Sequence, residues 1–391
     1  MDYSFSLRFG FPLHFTTGVW DTGNPLFADT LRRLEPERRH RVLLVIDDQV
    51  AATTANLSRD IAAYFAAHAS SIALAAPPVV VRGGEDAKND LTHALELIGH
   101  INRAGLDRQS FVAILGGGAV LDMASFAAAI AHRGIRAVRL PTTVLAQADS
   151  GVGVKNGVNL FGKKNFAGTF APPFAVINDV RFLETLERRD RISGVSEAIK
   201  VALLKDPDLF DHIEAHAAGV AAGKIDAMSF LIRRSAELHV AHICGSGDPF
   251  ELGSARPLDF GHWAAHKLES MTSHKVKHGE AVAIGMALDL IYSVRQGFLD
   301  RAVANRILNL IRATGFELCN AAMMAKDAEG QYLLLSGLRE FREHLGGELH
   351  ITLLRGIGSP FEVTEMDEAT VLDSLHELEV LGRTPLVPMT R

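Results

Sequence analysis

Up to about residue 187 the chain alternates short β-branched runs with longer Ala- and Leu-rich ones: RVLLVIDD (41–48), IAAYFAAHAS (61–70), PPVVVRGG (77–84), LTHALELIGHINRAG (91–105) and SFVAILGGG (110–118). This alternation predicts βαβ units around a parallel sheet. Runs such as VLLVI and FVAIL are apolar at every position, as strands covered on both faces must be. Each ends in Asp or Gly, so the carboxyl edge of the sheet is the expected ligand edge. Beyond residue 187 the apolar spacing changes to about 3.6, in SEAIKVALLKDPDLFDHIEAHAAG, AMSFLIRRSAELHVAHI, GHWAAHKLESMTSH, GEAVAIGMALDLIYSVRQG and RAVANRILNLIRATG. ELHITLLRGIG reads as a late short strand, and no repeat or low-complexity tract interrupts the chain. The expectation is an α/β domain with a parallel sheet over 1–187 and an all-helical domain over 188–391, with a cleft between them as the default site.

Composition narrows the class. At roughly 100–200 residues per domain, 391 residues fit two domains, and 48% hydrophobic with 22% charged residues is a folding mixture. A formal net charge of −6 provides no basic field for a phosphate backbone, which excludes nucleic acid as an expected partner. The two cysteines, Cys244 and Cys319, make neither a disulfide framework nor a zinc knuckle, so a reducing compartment is expected. The opening MDYSFSLRFGFPLHFTTG has no basic n-region, and no apolar run reaches the ~18–20 residues of a membrane span. A cytoplasmic chain with no membrane partner is the expectation.

In FVAILGGGAVLDMASF a buried strand runs through Gly116, Gly117 and Gly118 into a helix, where backbone N–H groups can meet a pyrophosphate at a positive helix end. The same glycines also suit a bare strand-to-helix turn. Other predicted strand ends add polar groups to that edge: Asp47 or Asp48 for ribose hydroxyls, Glu85 and Lys88, and Thr142 with Thr143.

In the helical half, Glu197, His262 and His278 have the chemistry of a catalytic zinc site, two imidazoles and a carboxylate with coordination left open. His266 lies one helical turn from His262, so spacing alone leaves the pairing open. Among 17 histidines most are surface or satisfied core residues. The stretch DSGVGVKNGVNLFGKKNFAGTF (149–170) reads as a Gly-rich loop whose Lys155, Lys163, Lys164 and Asn165 suit a phosphorylated ligand.

The motifs GGGAVLDMASFAAAIAHRG, LPTTVLAQADSGVGVKNGVN, GKKNFAGTF, GVSEAIK, DFGHWAAH and HGEAVAIGM, in this order over roughly 40–290, resemble the 3-dehydroquinate synthase-like sugar phosphate cyclases. The resemblance implies a dinucleotide-binding α/β domain followed by a helical metal-binding domain. It implies that Glu197, His262 and His278 hold Zn2+ or Co2+, with His266 as a substrate-side proton relay. It implies that Asp149, Lys155, Asn165 and Lys200 contact substrate hydroxyls and phosphate, that Glu251 adds a polar wall, and that Arg133 reaches a neighbouring subunit's site. The implied NAD contacts are Asp47, Gln49, Glu85, Lys88, Gly117, Gly118, Asp122, Thr142, Thr143, Lys164, Phe182, Thr185 and Leu186. The implied reaction is an internal redox cycle on a seven-carbon ketose phosphate, with phosphate eliminated, NAD recycled and a carbocycle closed. A homodimer is the base-rate expectation.

This chain departs from that pattern where 3-dehydroquinate synthases pair the substrate carboxylate. The Lys position falls on His239 or Ala241, the Arg position on Ala255 beside Arg256, and an Asn is replaced by Asp259. Losing a cation and gaining a carboxylate disfavours a substrate that carries a carboxylate. Sedoheptulose 7-phosphate, giving a valiolone-type product, is therefore slightly favoured over 3-deoxy-arabino-heptulosonate 7-phosphate. The basic pair usual before the last strand is also absent from EFREHLGGELHITLL, where Arg342 and His344 remain candidates. Two other classes are a metal-dependent polyol dehydrogenase, in which KNGVN and GKKN would have no purpose, and a non-catalytic relative, against which the metal residues argue.

Overall fold

A computed structural model describes residues 2–250, 258–344 and 348–383. The chain forms two compact units, Met1–Glu187 and Arg188–Arg391.

In chain order the strands of the first unit are β1 (Leu13–Thr16), β2 (His40–Asp47), β3 (Ile72–Leu74), β4 (Val79–Val81), β5 (Phe111–Gly116), β6 (Arg136–Pro141), β7 (Lys155–Leu160), β8 (Lys163–Phe170) and β9 (Ala175–Asp179). Seven of them make one sheet in the order β1-β9-β6-β5-β2-β3, with β4 also on β2. Every pairing in it is parallel. Period-2 alternation sends Val42, Leu44, Ile46, Phe111, Ala113 and Leu115 to one core, with Trp20, Phe27 and Tyr64. Leu43, Val45, Val112 and Ile114 enter the other, against helices Thr92–Arg103 and Gly118–Ile130. Both faces are covered, which is why these strands are continuous apolar runs.

The stretch read as a Gly-rich loop contains an antiparallel hairpin, β7 with β8. Phe161 (φ 55°) and Gly162 (φ 72°) both occupy the left-handed region between the paired Leu160 and Lys163, the requirement of a tight two-residue hairpin turn. Gly157 faces Gly168 across the pair, where a Cβ on Gly157 would stand 2.6 Å from Ala167 O. Lysine and glycine content had concealed this strand pairing.

Among the described residues the second unit is helical apart from one hairpin, β10 (Ile351–Gly356) with β11 (Ser359–Val363); β10 is the late strand expected at ELHITLLRGIG, and β11 is added to it. Helix Val195–Lys205 is buried over Val195–Leu204, and helix His278–Arg295 over Ala281–Ser293. Glycines let backbones meet there. A Cβ on Gly279 would lie 1.7 Å from Ser193 O, and one on Gly285 would lie 2.0 Å from Gly261 O. Gly261 itself takes φ 79° immediately before helix His262–Met271. These approaches draw His262, His278 and the start of helix Val195–Lys205 together. Among the described residues, no helix is long and apolar enough to cross a membrane.

Candidate active site

In a parallel sheet all carboxyl ends lie on one edge, and here that edge carries polar groups. Asp47 closes β2 and accepts from Gln49 N at 2.9 Å, while Asp48 Oδ1 accepts from Gly83 N at 3.0 Å. Burial pushes the Asp47 carboxyl upward against backbone donors that lower it. Gly116 ends β5, and helix Gly118–Ile130 begins with no side chain capping its first turn, which leaves N–H groups open to an anion. Thr142 and Thr143 follow β6, with Thr143 Oγ1 accepting from Ala146 N at 3.1 Å. Phe182, Thr185 and Leu186 lie in and just after the turn beyond β9.

Beside this edge Lys88, with 9% of its side chain exposed, donates to Asp122 Oδ2 at 2.7 Å and Asn165 Oδ1 at 2.9 Å. Asn159 ties the group together: its Nδ2 donates to Glu85 Oε1 at 2.9 Å, and its Oδ1 accepts from Asn165 N at 2.9 Å. The structure thus joins Glu85, Lys88, Asp122 and Asn165 through a residue the sequence reading passed over. Lys155 and Lys164 are on the hairpin beside them, and Asp149 ends helix Val144–Ala148. Arg133 stands apart. It is exposed, with φ 62°, and precedes β6 on the opposite edge of the sheet.

In the second unit, one ligand atom from each of Glu197, His262 and His278 lies within 4.8 Å of the others. Glu197 Oε1 is 3.5 Å from His262 Nε2 and 3.2 Å from His278 Nε2, and Lys200 Nζ is 2.5 Å from Oε2. Glu197 is fully buried, yet neither carboxylate oxygen takes part in a hydrogen bond of acceptable geometry. Burial pushes its carboxyl up, and Lys200 with the two imidazoles holds it well below the usual range. Enclosure lowers His278, but Glu197 and Glu269 outweigh it and raise the ring to about 9. A buried carboxylate beside two imidazoles, with one ligand atom of each within 4.8 Å of the others, fits a divalent cation. His266 is exposed, its ring centroid 5.4 Å from that of His262. Asp259 O accepts from His262 N at 3.0 Å. Glu251, Ala255 and Arg256 lie outside the described residues, as does the side chain of His344; Arg342 is exposed.

Sequence models of the 3-dehydroquinate synthase N-terminal and C-terminal domains match residues 78–193 and 194–333. The chain belongs to the 3-dehydroquinate synthase family. It shares 36% identity with the 3-dehydroquinate synthase of Alkaliphilus metalliredigens over 288 residues, 73% of this chain and 78% of that one. It shares 34% with the 2-epi-valiolone synthase of Actinosynnema mirum over 299 residues, 76% and 77% of the two chains. The solved 2-epi-5-epi-valiolone synthase of Streptomyces hygroscopicus subsp. jinggangensis, with NAD+ and Zn2+ bound, superposes with a TM-score of 0.85 at 28% identity, covering 97% of this chain and all of that one. Membership makes the protein an enzyme of the lyase type, a phosphate-eliminating cyclase.

Three further polar residues of this family member escaped the sequence reading. Glu269, 3% exposed, places Oε2 3.1 Å from His278 Nδ1. Asp289, fully buried, accepts from Trp263 Nε1 at 2.8 Å and Gly261 N at 3.1 Å, the two residues flanking His262. Arg139 is fully buried on β6. Only Glu269 had a readable signal: with His262 and His266 it makes an i, i+4, i+7 stripe on one helix face.

Proposed function

We propose that the protein converts sedoheptulose 7-phosphate into a valiolone-type carbocycle, with NAD at the carboxyl edge of the first unit and zinc at Glu197, His262 and His278. The observation that carries the reading is Glu197, buried with both oxygens lacking hydrogen bonds and with two imidazoles within 3.5 Å, in a chain of this family. The neighbour with the matching fold carries NAD+ and Zn2+, which supports both cofactors here.

NAD and the metal, when bound, supply reversible hydride transfer and polarisation of sugar hydroxyls. The chain's own groups do the rest. The Lys200 ammonium, buried beside Glu197, is placed to offset negative charge developing on a substrate oxygen. Lys155 and Asn165 bind hydroxyls and the leaving phosphate, and the Lys88–Asp122 pair holds Asn165 at its amide oxygen. Asp149 orients the substrate, and exposed His266 passes a proton at a ring nitrogen. Arg133, on the other sheet edge, serves the site of a second copy in a cytoplasmic homodimer.

Substrate choice rests on Asp259, and on His239 or Ala241 at the one position where a carboxylate-reading enzyme of this family has a lysine. A missing charge partner in a desolvated site costs about 2–4 kcal/mol, about 30- to 1000-fold in kcat/KM. The second reading, 3-dehydroquinate synthase, is favoured by the Alkaliphilus relative. Comparing kcat/KM for sedoheptulose 7-phosphate and 3-deoxy-arabino-heptulosonate 7-phosphate separates them. Preference for sedoheptulose 7-phosphate, which lacks the carboxylate, supports the proposal; faster turnover of the acid, lost in Arg256→Ala, makes the protein a dehydroquinate synthase.

A further inference from the structure

His278 is shared by two donor sets. Its Nε2 faces Glu197 and His262, and a second group, His266, Glu269 and His278, also places one ligand atom from each residue within 4.8 Å. A neutral imidazole has one lone pair, so the nitrogen that keeps its hydrogen decides which set can hold an ion.

The two carboxylates facing His278 differ. Glu197 is fully buried and its oxygens are in no well-formed hydrogen bond, although Lys200, His262 and His278 surround it. Glu269 is also buried, but its Oε2 lies in a well-formed hydrogen bond, 3.1 Å from His278 Nδ1. His274 Nδ1, on an exposed side chain, is 4.0 Å from Oε1. The second set also relies on His266, which is exposed. Glu269 sits seven residues after His262 on helix His262–Met271, a near-whole number of turns, so one helix face supplies both a ligand and the group that orients the other ligand.

We propose that Glu269 is a positioning residue: it accepts the Nδ1–H of His278, fixing the tautomer in which Nε2 is bare and aimed at Glu197, and so selects the Glu197–His262–His278 set for the metal. This rests on the metal reading above and deepens it. Carboxylate partners of ligating histidines set ring orientation and basicity, and losing one weakens metal binding by about 10- to 100-fold.

The test uses metal-free full-length protein and zinc or cobalt alone, without substrate. In Glu269→Ala, zinc affinity measured against a competing chelator should fall about 10- to 100-fold, and the Co2+ absorption bands should shift. Glu269→Gln, which keeps an acceptor oxygen, should recover most of that affinity. In the unmutated apoprotein at alkaline pH, 15N chemical shifts should show His278 protonated on Nδ1. Wild-type affinity in Glu269→Ala, or a hydrogen on Nε2, overturns the proposal. Metal binding lost outright in Glu269→Ala but kept in His262→Ala would make Glu269 itself a ligand, overturning both proposals. Unchanged binding in Glu197→Ala and His262→Ala would sink the metal reading, and with it the selection of that set by Glu269, whereas wild-type affinity in Glu269→Ala with binding lost in His262→Ala overturns the Glu269 proposal only.

Discussion

Arg139 Nη2 donates to the carbonyl oxygen of Lys155 at 3.0 Å from a position with no solvent exposure. Its Nη1 donates to Gly153 O at 2.8 Å and Gly151 O at 3.4 Å, and its Nε to Ser125 Oγ at 3.1 Å. Burial lowers the guanidinium to about 10 against the opposing charge of Asp122, so it stays charged at neutral pH. One buried cation therefore fixes the backbone between Asp149 and Lys155, both assigned here to the substrate.

Arg139→Met should leave these carbonyls without their donor. We expect a loss of about 2–4 kcal/mol in urea unfolding. Displacement of Lys155 should lower kcat/KM for phosphate release by about 100-fold. Wild-type values for both would show that the loop holds itself in place.

Elemental analysis of purified variants checks the metal assignment. Glu197→Ala, His262→Ala and His278→Ala should each lose most of the bound zinc, because each removes one of only three ligands in the set. His266→Ala should keep zinc and lose turnover. Zinc lost from His266→Ala and retained in His262→Ala would reverse the assignment.

Asp289 predicts a pH dependence. Burial raises its carboxyl to about 7, against the lowering hydrogen bonds from Trp263 and Gly261. Between the ordinary aspartate range and about 7 the folded state therefore binds a proton that the unfolded state has released, and stability falls as pH rises. The stability of wild type relative to Asp289→Leu should shrink by ~2–4 kcal/mol from pH 4 to pH 8. A difference that stays flat or grows with pH would mean that Asp289 is ionised throughout.

What could be read in the sequence was local. VLLVI, PPVVV and FVAIL carry their strand character in consecutive residues, and the six family motifs carry the candidate ligands. The hairpin of β7 and β8 was hidden because its turn depends on Phe161 in a left-handed conformation, which few bulky residues adopt. Asn159, Arg139 and Asp289 were illegible for another reason. Their meaning lies in partners that no periodicity links: Glu85 is 74 positions from Asn159, and Trp263 is 26 from Asp289. A lone buried polar residue is silent until the fold supplies its partner.

The most direct test of a cyclase with a closed redox cycle is to incubate the protein with sedoheptulose 7-phosphate, Zn2+ and NAD far below the substrate concentration, following phosphate, NADH absorbance and the sugar product together. The account predicts many phosphates released per NAD, no net NADH and a carbocyclic product. NADH accumulating in step with substrate consumed, with phosphate still on the sugar, would contradict it and make the protein a dehydrogenase.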